Sequence, residues 1–182
     1  MRIVVVVDYD RSWPEIFERL RSHIWPILND LAIAVEHVGS TSVPGLAAKP
    51  IIDMTVVVPT EANIPVAIER LVNLGYMHRG NLGVEGREVF HTPDELPAHH
   101  LYLCRRDSLA LRNHLVVRDY LRTHPEIARE YGELKKRLAK EFPHDIESYI
   151  DGKTDLILKI LLAANFPTAD LDVVEYANRK AG

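Results

Sequence analysis

His37-Val38-Gly39-Ser40-Thr41-Ser42-Val43-Pro44-Gly45-Leu46-Ala47-Ala48-Lys49-Pro50-Ile51-Ile52-Asp53 sets a glycine turn, three hydroxyl side chains, a lysine and a carboxylate between two apolar runs. The flanking runs, 32–38 and 51–58, are short, rich in β-branched residues and bounded by Gly or Pro, so both read as strands and the polar residues lie on their connection. Gly39 permits a sharp turn and close approach of backbone to a ligand. Ser40, Thr41 and Ser42 supply hydroxyls, Pro44 suits the first turn of a short helix, and Lys49 adds positive charge. Such a loop suits a phosphate, although it has neither the Gly-Lys-Ser/Thr ending of a Walker loop nor a G-x-G-x-x-G. Side chains alternate along a strand, so Ile51, Asp53, Thr55 and Val57 share a face. A carboxylate among aliphatics there needs a partner or a metal.

Upstream, residues 3–7 read as a further strand, and Ser12-Trp13-Pro14-Glu15 has capping-box spacing ahead of a helix that Pro26 kinks or splits. Downstream, Thr60 is placed to cap a helix closed by Gly75. Strands are expected at 87–91 and 100–104 as antiparallel neighbours, with the 80–86 connection as a mobile lip over the site. From Ser108 the apolar spacing becomes helical, giving one helix to Thr123, a second through Ile127, Tyr131, Leu134 and Leu138, and a third from Ile146 to Leu161. With no repeat or long linker, the 182 residues read as a single α+β unit, a mixed core over 1–107 and a helical part over 108–182.

Composition narrows the function. Hydrophobic residues at 47% and charged residues at 26% describe a globular chain, and the net charge of −4 excludes a broadly basic nucleic-acid surface. Cys104 is the only cysteine, which excludes a disulfide framework and a thiolate zinc cluster and fits a reducing cytoplasm. The apolar start is too short to span a membrane.

Four ordered blocks resemble the GrpB family: the 37–53 string, Tyr9-Asp10-x-x-Trp13-Pro14, His100-Leu101-Tyr102-Leu103, and Val117-Arg118-Asp119-Tyr120-Leu121-Arg122-x-His124-Pro125. The likeness runs along about the whole chain. It implies the nucleotidyltransferase fold, a small mixed sheet with flanking helices, whose members move a nucleoside monophosphate from a triphosphate to an acceptor. The signature of that superfamily is a hydrophobic residue, Gly, Gly or Ser, and then Asp-x-Asp or Asp-x-Glu on the next strand. Val38-Gly39-Ser40 and Asp53 supply its first parts; Thr55 stands where the second carboxylate belongs.

The resemblance therefore implies a nucleoside triphosphate held by Gly39, Ser40, Thr41, Ser42 and Lys49, with magnesium on Asp53 as the catalytic carboxylate and an unknown acceptor. A second carboxylate is expected from Glu85 or Glu88 if the metal site is complete. The family block His-Leu-His is His100-Leu101-Tyr102 here, leaving His100 as a site candidate and His37 and His91 as structural ones. Arg118 and Arg122 either reach the nucleotide or, with Asp119, form a surface ion-pair cluster. Gly152-Lys153-Thr154 is a helix or turn segment, because no glycine stands four residues ahead of Gly152. The alternatives to transfer are a non-catalytic module binding a nucleotide or another phosphorylated small molecule, and an interaction surface on the helical third.

Overall fold

Two neighbouring strands carry the site. The computed structural model describes residues 3–180, and in it β1 (Ala34–Val38) runs antiparallel to β2 (Ile52–Val58), with Val38 opposite Asp53. β2 lies parallel to β5 (His99–Arg105), with Asp53 in register with His100 and Thr55 with Tyr102. β4 (Arg87–His91) and the two-residue β3 (Met77–His78) extend the far side antiparallel, so the spatial order is β1-β2-β5-β4-β3. The parallel pair at the centre requires a long crossover, which α2 (Asn63–Asn73), β3 and β4 supply.

Alternation along β2 and β5 divides the sheet into two chemistries. Ile52, Met54, Val56, Val58, Leu101 and Leu103 are buried against Trp13, Phe17, Leu20 and Ile24 of α1 (Trp13–Ile24) and Ala67 and Leu71 of α2. Each such aliphatic contributes about 1.5–3 kcal/mol on burial. The opposite face presents Asp53, Thr55 and Val57 beside His100, Tyr102 and Cys104. There Val57 and Cys104 pack on Ala110 and Leu111 of α3 (Leu109–Thr123).

Three more helices complete that side: α4 (Pro125–Glu141), α5 (Ile146–Ala163) and α6 (Thr168–Lys180). Val43 and Leu46 of the β1–β2 connection are buried among Leu121, Ala128, Tyr131, Leu156 and Ile160, so α3, α4 and α5 close over the loop. Ser108 and Asp145 cap α3 and α5 by accepting from Leu111 N at 3.3 Å and Ser148 N at 3.0 Å.

Several expectations are corrected. The described residues of 3–7 form no ladder strand. Val7 makes one isolated bridge to Ala48, with both backbone bonds at 2.9 Å, while Val4 packs against Leu138 and Tyr149. β-branching favoured an extended segment, and the helices rather than the sheet accept it. Ser12 does not cap α1 with its side chain; Asp10 Oδ1 accepts from Ser12 N at 2.8 Å. Thr60 does not cap α2 but hydrogen-bonds the Asn63 side chain. Pro26 does split the first helix, since Trp25–Ile27 is a 3-10 turn. The helical part over 108–182 holds a fourth helix, α6, beyond the three expected.

Candidate phosphate site at the Gly39–Ser40 turn

Gly39 has φ +67°, and a Cβ built there would lie 2.3 Å from Asp53 Oδ2. Glycine is thus required twice, for the left-handed backbone and for the room that lets the carboxylate lie against the turn. Ser40–Ser42 then form a 3-10 turn, closed by Ser42 Oγ donating to Gly39 O at 2.6 Å. Thr41 Oγ1 is 3.0 Å from His37 Nε2, and the His37 ring stacks on Phe17 with centroids 4.6 Å apart. The Thr41 and Ser42 hydroxyls, expected to face substrate, therefore shape the turn from within.

Arg118 and Arg122 come from α3 to the same turn, as backbone braces. Arg122 donates from Nε and Nη2 to Ser42 O at 3.0 and 2.8 Å. Arg118 Nη1 donates to Glu36 Oε2 at 2.6 Å and to His37 O at 3.1 Å, and its Nε donates to Asp119 Oδ1 at 2.7 Å. The planar guanidinium matches such paired acceptors, and these bonds engage both arginines with the protein itself.

Lys49 is a sequence candidate for this site and Lys153 reads from the sequence as a helix or turn lysine, whereas Lys135, the cation that touches the turn, is not among the sequence candidates. Lys135 of α4 is 2% exposed, and its Nζ donates to Ser40 Oγ at 2.7 Å. Lys153 of α5 lies 4.6 Å from the centroid of the Tyr149 ring, and Lys49 lies 5.7 Å from the same centroid. Burial, the nearby Lys153 and Lys49 push the Lys135 ammonium well below its usual range against the pull of Asp53. Burial and Lys49 bring Lys153 down to about 8. Among the described residues no carboxylate is within ion-pairing distance of Lys135 or Lys153. The helix reading of Gly152-Lys153-Thr154 stands, but Gly152 matters: a Cβ there would meet Leu138 Cδ2 at 2.5 Å, so the glycine allows α5 to approach α4.

A signal was present for Lys135. Ala128, Tyr131, Lys135 and Leu138 recur at spacings of three and four, so the lysine sits inside the apolar stripe of α4. A cation in that stripe is a departure from the pattern that buries aliphatics.

Asp53 accepts from His100 Nδ1, with Oδ1 at 2.8 Å; the side chains are 27% and 43% exposed. Burial raises the Asp53 carboxyl, but the His100 bond and the positive charge around it outweigh burial and hold its pKa below the ordinary carboxylate value. Beneath it, Thr55 is fully buried and its Oγ1 has no hydrogen-bond partner.

These residues do not make a resident magnesium site. A hard divalent ion needs several oxygen ligands, and Asp53 is one carboxylate already engaged by an imidazole. Glu88 turns instead to His78 at 2.6 Å, and Glu85 lines a separate cavity. Among the described residues there is no group of three or more His, Cys, Asp or Glu that could hold an ion.

The geometry can be set beside known proteins. The family model described as GrpB protein matches residues 3–162. The chain belongs to the GrpB family. UPF0157 protein YqkA of Bacillus subtilis is 38% identical over 156 residues, 86% of this chain, which spans about half (46%) of that protein's length. Glutamate-rich protein GrpB of Alkalihalophilus pseudofirmus is 31% identical over 163 residues, covering 87% of this chain and 94% of that one. A crystal structure of conserved protein GrpB from Enterococcus faecalis aligns at TM-score 0.79 and 37% identity, over 88% of this chain and 96% of that one. A structure of Cid1 in complex with the UTP analog UMPNPP aligns at TM-score 0.50 and 16% identity, over 86% of this chain and 48% of Cid1, a likeness of fold alone. The α+β architecture is nucleotidyltransferase-like, as the resemblance implied. Among the described residues no helix is long and apolar enough to cross a membrane.

Proposed function

We propose that the Gly39–Ser40 turn of this GrpB-family protein binds the phosphates of a nucleoside triphosphate. The observation that carries this reading is Lys135, a nearly fully buried ammonium whose described hydrogen bond is to a neutral hydroxyl of the turn. A buried charge is costly unless compensated. With Lys153 and Lys49 close by, the natural compensating group is a multiply charged anion at Ser40. Lysines thus supply the charge that a carboxylate-held metal would otherwise bring.

Nucleotidyl transfer is the reaction this arrangement suits. An acceptor hydroxyl attacks the α-phosphorus, forming an O–P bond as the bond to the β-phosphate oxygen breaks and pyrophosphate leaves. The hydroxyl proton passes to His100, oriented by Asp53. The lysines stabilise the charge that grows on the leaving phosphates. The second reading, a module that binds the nucleotide without transfer, is favoured by Thr55, which leaves Asp53 without a carboxylate companion on its strand face.

Isothermal titration of the wild type, Lys135→Met and Asp53→Ala with nucleoside triphosphates, with and without magnesium, tests the proposal. Binding to wild type that Lys135→Met loses supports it, and no binding to any of the proteins overturns it. Transfer of α-phosphate label across an acceptor panel separates enzyme from module.

A further inference from the structure

A cavity of about 170 Å³ opens at Gly39 and Ser40 and is also lined by Tyr131 and Arg118. A larger one of about 880 Å³ lies between α3, α6 and the connection leading into β4. Asn113, His114 and Asn178 line both, so the two cavities meet at these residues, the neck between them. We infer that the larger cavity holds the uncharged nucleoside part of the nucleotide whose phosphates sit at the Gly39–Ser40 turn, with Asn113 and Asn178 hydrogen-bonding it. This rests on the phosphate reading above and adds to it a residue-level basis for nucleotide selection.

Asn113 Oδ1, His114 Nδ1, Asn178 Nδ2 and Arg87 Nε are buried without a hydrogen-bond partner, and all four residues line the larger cavity. Buried polar atoms are normally paired, so a cluster of exceptions on one cavity wall marks groups kept for a ligand. The set contains an amide acceptor and an amide donor, which suits the mixed edge of a nucleobase or ribose hydroxyls.

Burial pulls the His114 imidazole down to about 4, so the neck is neutral at physiological pH. The arginines of the outer mouth are engaged by carboxylates: Arg112 with Asp170 at 2.9 Å, and Arg105 with Glu61 at 3.4 Å and with Asp107. Arg87, 5.1 Å from the Tyr102 ring centroid, is the one lining arginine without a carboxylate among the described residues, so the cation cluster lies at the turn, which takes the anion, and the region beyond the neck takes the nucleoside. Its volume lies within the roughly 300–1,000 Å³ of small-molecule sites.

The test is titration of the intact protein with inorganic tripolyphosphate and with the four ribonucleoside triphosphates. At least one nucleotide is expected to bind about tenfold or more tightly than tripolyphosphate, because a site built to hydrogen-bond a group rejects a ligand lacking it. Asn113→Ala and Asn178→Ala should each erode that advantage while leaving tripolyphosphate affinity unchanged. As a readout that does not depend on variants, the side-chain amide resonances of Asn113 and Asn178 should shift with the nucleotide and not with tripolyphosphate. Equal binding of tripolyphosphate and all nucleotides, or an advantage insensitive to both asparagines with silent amide resonances, overturns the subsite and leaves the phosphate reading standing. Failure of tripolyphosphate and nucleotides alike overturns both.

Discussion

Lys135 Nζ donates to Ser40 Oγ at 2.7 Å across 95 residues of sequence, joining the middle of α4 to the glycine turn after β1. That bond sets the Lys135 amine at the turn before any ligand arrives. Its meaning depends on what the lysine lacks: among the described residues no carboxylate pairs with it. Lys135→Met should therefore separate function from stability. Binding of a triphosphate should fall roughly 10- to 100-fold, the worth of a hydrogen bond to a charged group. Thermal stability should hold or rise, because an apolar side chain of similar length replaces a desolvated charge. Calorimetric titration and a melting curve on the same sample check both.

The same turn should not tolerate a methyl group at Gly39. Gly39→Ala forces a left-handed backbone on alanine and drives its Cβ to 2.3 Å from Asp53 Oδ2. A loss of about 2 kcal/mol or more is expected in the denaturant midpoint, together with displacement of the carboxylate from His100. A change in the His100 ring-nitrogen chemical shifts at constant pH, marking loss of its hydrogen bond to Asp53, would report that displacement.

Phosphate binding should weaken with alkali. Lys153 titrates at about 8 in the free protein, and an anion beside it favours the protonated form. Affinity should fall as pH rises through about 8, and binding above that pH should take up protons, seen by titration in buffers of different ionisation enthalpy. The sign for stability is opposite. The free ammonium is depressed from 10.5, so between about 8 and 10.5 the unfolded chain holds more protons and stability rises with pH. Lys153→Met should flatten both trends.

Acid should act through two buried imidazoles. Burial lowers His37 and His114 from 6.5 to about 4. The unfolded chain therefore takes up protons first as pH falls below 6.5, and stability drops between 6.5 and 4 by at most roughly 3 kcal/mol per imidazole. His37→Phe keeps a ring against Phe17 and should remove its share of that drop, measured by urea unfolding at successive pH values. The Asp53 carboxyl, held below its ordinary value of 3.8, contributes only in stronger acid.

Arg122 braces the turn through paired bonds to one carbonyl, which an ammonium cannot reproduce. Arg122→Lys should lower stability by about 1 kcal/mol and reduce triphosphate affinity, because the backbone of Ser42 is no longer fixed. Equal affinity in the variant would show that the brace does not shape the site.

The sequence by itself determined the local chemistry of this protein. β-branched runs bounded by Gly and Pro marked β1, β2, β4 and β5, apolar spacing marked α3, α4 and α5, and the 37–53 string marked the glycine turn and Asp53, because these are short-range patterns of sterics and periodicity. Tertiary structure decided the partners. His100 reached Asp53 only through the parallel register of strands 47 residues apart, while Arg118 and Arg122 became braces because α3 crosses the turn. Residues 3–7 kept an extended course yet found helices instead of a sheet edge, and the middle strands brought no second carboxylate to Asp53. Above all, the role of Lys135 and Lys153 is not local: the apolar stripe of α4 marks Lys135 as out of pattern but not what it faces. Their charge acquires meaning only when packing withdraws it from water, Lys135 beside Ser40 and Lys153 beside Tyr149, and the cost of burying a charge depends on the whole surrounding fold and not on neighbouring residues in the chain.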